Sequence, residues 1–169
     1  MPAAETYAAI DLGASGGRVM EGTLADGELR LREVHRFPNG PVQSGDGLCW
    51  ELTRLREELQ LGLSRLAAES GAQLAGIGVD AWAQDFVLLD QRGDPLGLPR
   101  SYRDPRTAGI LEVLARHLPE RELYRHTGVP FLEFTSLGQL MARQREGGAT
   151  LEQAQTLLFM PNLFLFWLC

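Results

Sequence analysis

Only two cysteines, Cys49 and Cys169, occur in the 169 residues, so no disulfide framework is implied. The first eleven residues, MPAAETYAAID, lack a basic segment followed by an apolar core. No secretory signal is read there, and a cytoplasmic location is the default expectation. No apolar run reaches the roughly 20 residues that a membrane-spanning helix needs. The longest, residues 157–169 (LLFMPNLFLFWLC), is interrupted by Asn162 and Pro161. His35, His117 and His126 lack metal-ligand spacing with one another or with Cys49, which argues against a zinc site. The net charge is -6 and the basic residues are scattered without a stripe, which argues against a nucleic-acid surface. No internal repeat or low-complexity linker is visible.

What is present fits a folded α/β domain. Hydrophobic residues make up 44% and charged residues 22%, enough for one globular domain with a sizeable core. The most informative stretch is residues 8–19, AAIDLGASGGRV. A short apolar run ends in Asp11, breaks into Gly13, Ala14, Ser15, Gly16 and Gly17, and restarts at Arg18. This predicts strand, tight turn, strand. Glycines permit positive φ and close backbone approach, so successive N–H groups and the Ser15 hydroxyl can converge on phosphate oxygens. Asp11, at the mouth of the turn, is placed to hold Mg²⁺ through water. A P-loop or a dinucleotide fingerprint would open a helix here. Residues 18–24 instead read as a strand closing at Asp26-Gly27, a hairpin dipeptide. The alternative is an ordinary hairpin whose glycines serve only the turn.

Further along, residues 28–37 read as a third antiparallel strand and residues 39–47 as a loop. Apolar positions Leu52, Leu55, Leu59, Leu63 and Leu66 predict an amphipathic helix from Glu51 to a glycine cap at Gly71. Residues 74–81 and 86–90 read as strands, 96–102 as a short returning strand, and 105–117, 120–126 and 136–145 as helices. The apolar end predicts a buried strand running into a buried helix with Pro161 in its first turn, the chain stopping in mid-element. Exposed, Phe164, Phe166 and Trp167 would be a solubility liability, so a cover is expected. Three antiparallel strands, a helix and further strands resemble a ribonuclease-H-like layered α/β unit with a mixed sheet.

Residues 76–90, GIGVDAWAQDFVLLD, are the second informative stretch. The strand delivers Asp80, Trp82 and Asp85 around a tight break, acceptors and an apolar platform suited to a polyol. Asp80 reads equally as a capped structural acid and Asp85 as a solvated one. Arg103, Asp104 and Arg106 in SYRDPRT fit an ion-paired loop before a helix better than a substrate contact. Phe131 and Phe134, in TGVPFLEFT, read as core residues, with Phe131 a candidate pocket wall.

These segments in this order resemble the rhamnulokinase branch of the FGGY carbohydrate kinase family. The resemblance rests on AIDLGASGGRVM, LREVHRFPNG with Trp50 following, GIGVDAWAQDFVLLD, YRDPRT and TGVPFLEF, and spans nearly the whole chain. It implies an actin-like ATPase domain, a mixed sheet flanked by helices, as the first of two domains with a cleft between them. The implied reaction transfers the ATP γ-phosphate to a primary hydroxyl of L-rhamnulose or a related ketose, with Mg²⁺. Ala14, Ser15, Gly16, Gly17 and Arg18 match the family's ATP-phosphate loop. Ala83 lies where the family has a sugar-contacting glycine, and Trp82, Asp85 and Phe131 join it as candidate substrate contacts. Asp11 is the candidate metal ligand.

Three positions depart from the pattern. Gly16 replaces a second serine, removing one hydroxyl but keeping the backbone donors. Ala83 adds a methyl beside the sugar, and Asn162 replaces an acid. The resemblance also places the catalytic Asp base, with its neighbouring His and the adenine-binding segments, beyond Cys169. Residues 1–169 are therefore expected to be an incomplete N-terminal kinase domain, inactive alone, whose partner is the C-terminal domain. The alternatives are a non-catalytic actin-like module that binds sugar or nucleotide, and a truncated fragment.

Overall fold

The computed structural model describes residues 4–45, 47–71 and 73–169. Contacts group them into two compact units. One takes the described residues of Met1–Pro41, Glu51–Ala83 and Met160–Cys169; the other takes those of Val42–Trp50 and Gln84–Phe159.

The first unit is built on a four-stranded sheet ordered β3-β2-β1-β6. Strands β1 (Glu5–Leu12), β2 (Gly16–Ala25) and β3 (Glu28–Pro38) form an antiparallel meander, as their patterning predicts. The β2–β3 turn has positive φ at both Asp26 (52°) and Gly27 (80°), the conformation that an Asp-Gly hairpin favours. Helix α1 (Leu52–Ser70) then crosses over to β6 (Leu74–Ala81), which runs parallel to β1. Parallel neighbours need such a crossover. Alternation along β1 puts Thr6, Ala8, Ile10 and Leu12 on one buried face. Helix α1 lies on that face, its buried Leu52, Leu55, Leu59 and Leu66 recurring every three to four residues. Gly62 rather than Leu63 completes the stripe, because a Cβ there would run into Val19 and approach His35. The predicted cap at Gly71 is left-handed, with φ 56°.

Helix α6 (Met160–Leu168) belongs to this unit and buries Met160, Leu163 and Phe164. Phe164 is thus core, as the buried helix expected there requires, while Phe166 remains half exposed. Trp167 stacks edge-on to Phe164, with the Arg56 guanidinium of α1 over its ring.

In the second unit, residues expected to be loop form a hairpin of β4 (Val42–Ser44) and β5 (Gly47–Cys49); Asp46 lies outside the described residues. Strands this short carry too few positions to show alternation. Strand β7 (Phe86–Leu89) is buried throughout and pairs antiparallel with β8 (Thr156–Phe159). Side chains of β8 are largely exposed, so the apolar end is not uniformly buried as expected. Residues 96–102 are not a strand: only isolated bridges at Pro95 and Arg100 form, since Gly97 has φ 87° and Pro99 lacks a donor. The helix expected over 105–117 is split into a 3-10 turn, Pro105–Thr107, and α2 (Ile110–His117), because Gly109 turns left-handed at φ 73°. Helices α3 (Glu120–Thr127) and α4 (Ser136–Arg145) form where predicted, and α5 (Ala149–Gln153) is an addition.

Candidate functional site: a glycine turn at the carboxyl end of parallel strands

The turn between β1 and β2 is closed by a hydrogen bond of 2.8 Å from the Gly13 N–H to the Gly16 carbonyl. Ala14 is half-buried and Ser15 exposed at its tip. The glycines earn their places differently from expectation. None of Gly13, Gly16 and Gly17 is among the positive-φ residues. At Gly17 the demand is steric, since a Cβ would overlap the Phe37 ring; at Gly13 a Cβ would lie 3.2 Å from the Gly16 carbonyl oxygen. Close packing, not handedness, selects glycine at positions 13 and 17, whereas a Cβ at Gly16 would make only ordinary contact, 3.4 Å from the Phe37 carbonyl oxygen.

Asp11 and Arg18 are register partners across β1 and β2, and the Arg18 guanidinium pairs with Asp11 Oδ2 through both Nε and Nη2. The predicted metal ligand and the predicted phosphate ligand therefore neutralise each other. Asp80 is the register partner of Asp11 on β6, so both carboxylates rise from the same sheet face, with Asp80 exposed. No group of three metal-ligating side chains occurs among the described residues. A carboxylate at the mouth of a turn suits Mg²⁺, which keeps most of its waters when bound.

Strand β6 delivers the second predicted segment to the same end of the sheet. Ala81 is the register partner of Leu12, and the Trp82 N–H donates to the Leu12 carbonyl at 3.2 Å. Trp82 is nearly buried, while Ala83 is exposed. The turn and the segment Trp82-Ala83 thus sit together beyond the carboxyl ends of two parallel strands, where open α/β sheets bind ligands.

Asp85 and Phe131 fall in the second unit. Asp85 is not a solvated acid: it is fully buried, accepting from Trp50 Nε1 at 2.6 Å and from Gln139 Nε2 at 3.0 Å. The Gln139 amide also donates to the Gln84 and Phe134 carbonyls and accepts from Arg106 Nη2. This network binds β7 to α4, and the Asp85 oxygens are committed to it. Asp104 is structural as well, as the ion-paired reading anticipated. It accepts from the Leu48 and Arg106 N–H groups and from Arg100 Nη1. Burial lowers the Arg106 guanidinium from its ordinary value, with Arg143 adding repulsion. Phe131 is half-buried.

Sequence reasoning missed three groups. Tyr102 forms an edge-to-face pair with Phe134 at 6.1 Å, with the Arg103 guanidinium over its ring; Phe134, expected in the core, is instead 37% exposed. The aromatic residues in SYRDPRT and TGVPFLEFT were the available signal. Gln139 carries no sequence signal beyond its place on α4. Asn39, at the end of β3, bonds the glycine turn directly.

The fold is that of the actin-like ATPases to which sugar kinases belong. Over 97% of its length the chain superposes on a gluconate kinase from Lactobacillus acidophilus at TM-score 0.83 and 14% identity, covering 33% of that chain. Residues 6–169 match the FGGY family of carbohydrate kinases, N-terminal domain, and the chain belongs to that family. Among curated relatives, a rhamnulokinase of Klebsiella pneumoniae is 43% identical over 94% of this chain and 33% of its own. One from Oceanobacillus iheyensis is 39% identical over 95% of this chain and 34% of its own. The chain thus spans about a third of the length of these relatives. No helix among the described residues is long and apolar enough to cross a membrane.

Proposed function

We propose that this chain supplies the phosphate-binding and part of the sugar-binding half of an ATP-dependent kinase that phosphorylates L-rhamnulose at a primary hydroxyl. The observation that carries the reading is the glycine turn at the carboxyl end of β1, flanked by Asp11 and Arg18 and set beside Trp82-Ala83. Phosphoryl transfer needs little covalent chemistry from the protein; it needs charge placed around the phosphates and an oriented acceptor. Backbone N–H groups of residues 14–17 and the Ser15 hydroxyl receive phosphate oxygens. Arg18 supplies positive charge once released from Asp11, and Asp11 receives the hydrated Mg²⁺ that accompanies ATP. Trp82 and Ala83 border the acceptor sugar. Asp85, whose oxygens are taken by Trp50 and Gln139, and Phe131 belong to the other compact unit and have no part in this reading.

The acceptor proton needs a carboxylate base, which this reading assigns to the C-terminal domain, so the chain alone is inactive. The identity to rhamnulokinases supports the choice of sugar. A chimera tests it: this chain replaces the matching third of the Klebsiella pneumoniae rhamnulokinase, and ADP release is followed with L-rhamnulose, D-xylulose and glycerol. Turnover with L-rhamnulose well above the others is expected. Preference for another polyol overturns the sugar assignment, and sugar-dependent ADP release by the isolated chain overturns its inactivity.

A further inference from the structure

The end of β3 holds the glycine turn by more than the strand ladder. Asn39 donates twice to it: the side-chain Nδ2 to the Gly13 carbonyl at 2.8 Å, and the backbone N–H to the Ser15 carbonyl at 3.2 Å. The orientation of its amide is fixed from the other side. Oδ1 accepts from the Gly40 N–H at 2.9 Å and from Arg54 Nη2 at 3.4 Å, while Arg54 Nη1 donates to the Pro38 carbonyl at 2.9 Å. A carbonyl and the N–H that follows it share one planar trans peptide and point in opposite directions. Fixing the Gly13 and Ser15 carbonyls toward Asn39 therefore turns the Ala14 and Gly16 N–H groups away from β3. The Ala14 N–H enters no hydrogen bond among the described residues.

We propose that Asn39 is a positioning residue for the phosphate-binding turn, anchoring two of its peptide planes so that the Ala14 and Gly16 N–H groups are aimed at the phosphate before it arrives. This rests on the phosphate-binding reading of the turn given above. Donors held in advance avoid the ordering cost that a mobile turn would incur at each binding event. Arg54 acts on the turn through Asn39.

The decisive variant is Asn39→Asp. It is isosteric and keeps the acceptor for Gly40 and Arg54 and the backbone bond to Ser15, but opposes an acceptor oxygen to the Gly13 carbonyl. Two readouts on the 169-residue chain separate the clamp from the phosphate reading: calorimetric affinity for Mg²⁺ tripolyphosphate, and amide hydrogen exchange at Gly13, whose bond closes the turn. The expected result is affinity weakened by roughly tenfold and Gly13 exchange faster by a similar factor, as for loss of one hydrogen bond with a residual acceptor clash. Exchange at Ile10 and Val19 stays as in the parent. Unchanged affinity, or unchanged exchange at Gly13, overturns the proposal. If the parent chain binds no tripolyphosphate, the phosphate reading fails, and Gly13 exchange alone decides the clamp. Should Asn39→Asp not fold, Asn39→Ala removes the donor without adding charge and is read in the same way.

Discussion

Asp11 and Arg18 face each other across β1 and β2, and the guanidinium binds one carboxylate oxygen through two nitrogens. Both side chains are about two-fifths exposed, 43% and 42%. A pair so open contributes little to stability, on the order of 0–1 kcal/mol. On the proposed phosphate-binding reading its consequence is functional: an anion that recruits Arg18 would first separate it from Asp11, and a cation on Asp11 would make that separation easier.

Mg²⁺ should therefore strengthen polyphosphate binding in the parent chain through Asp11. In Asp11→Asn, calorimetry should show metal-free tripolyphosphate binding more tightly than in the parent, with the Mg²⁺ enhancement lost. Thermal melting should barely move. An enhancement that survives the substitution removes Asp11 from the metal site.

Gly17→Ala places a methyl in the Phe37 ring. Overpacking of this kind costs about 1–3 kcal/mol, read as a lower urea midpoint at unchanged slope. Adding Phe37→Leu should return much of the loss. If the double variant is no more stable than the single one, the Phe37 ring is not what requires glycine at this position.

Asp85→Ala removes the carboxylate that accepts from the Trp50 indole N–H and one of three acceptors of the Gln139 amide, which keeps the Gln84 and Phe134 carbonyls. A loss of about 1–3 kcal/mol is expected in urea unfolding. Truncating Phe131, half-buried and outside this network, should cost less. Wild-type stability for Asp85→Ala would show that the network is not part of the fold's stabilisation.

Burial pushes the Cys49 thiol up from its ordinary value, an effect only partly offset by Arg100. Cys169 is exposed. At pH 8, iodoacetamide should label Cys169 first and Cys49 only after denaturant is added, as mass spectrometry would show, since the thiolate is the nucleophile. Because the folded thiol resists ionisation, its contribution to stability is intact below the ordinary thiol range and declines as pH rises through it. Equal labelling of both cysteines in the native chain contradicts this placement.

Much of the first unit was legible because its signals are local. Asp26-Gly27 dictates a hairpin, the leucine spacing dictates α1, and Gly71 dictates its end. The apolar alternation of β1 fixed which face α1 would cover. In the second unit, elements are short and their boundaries depend on single backbone conformations. Gly97 and Pro99 abolish a strand that composition suggests, and Gly109 divides a helix whose apolar spacing runs on through it.

The chain by itself determined the strand–turn–strand that presents Ser15 and the acid that precedes it, because strand alternation and hairpin chemistry act between near neighbours. Its motifs also carried the family. Tertiary structure decided what each polar residue does. Asp85, drawn from the sequence as a polyol contact, is consumed by Trp50 and Gln139, residues 35 and 54 positions away. Asn39, drawn as loop, reaches back 26 positions to the Gly13 carbonyl. Arg18 meets Asp11 only because the register of β1 and β2 brings them opposite each other. A side chain's hydrogen-bond capacity is written in its chemistry; which partner claims it depends on what the folded chain places within about 3 Å.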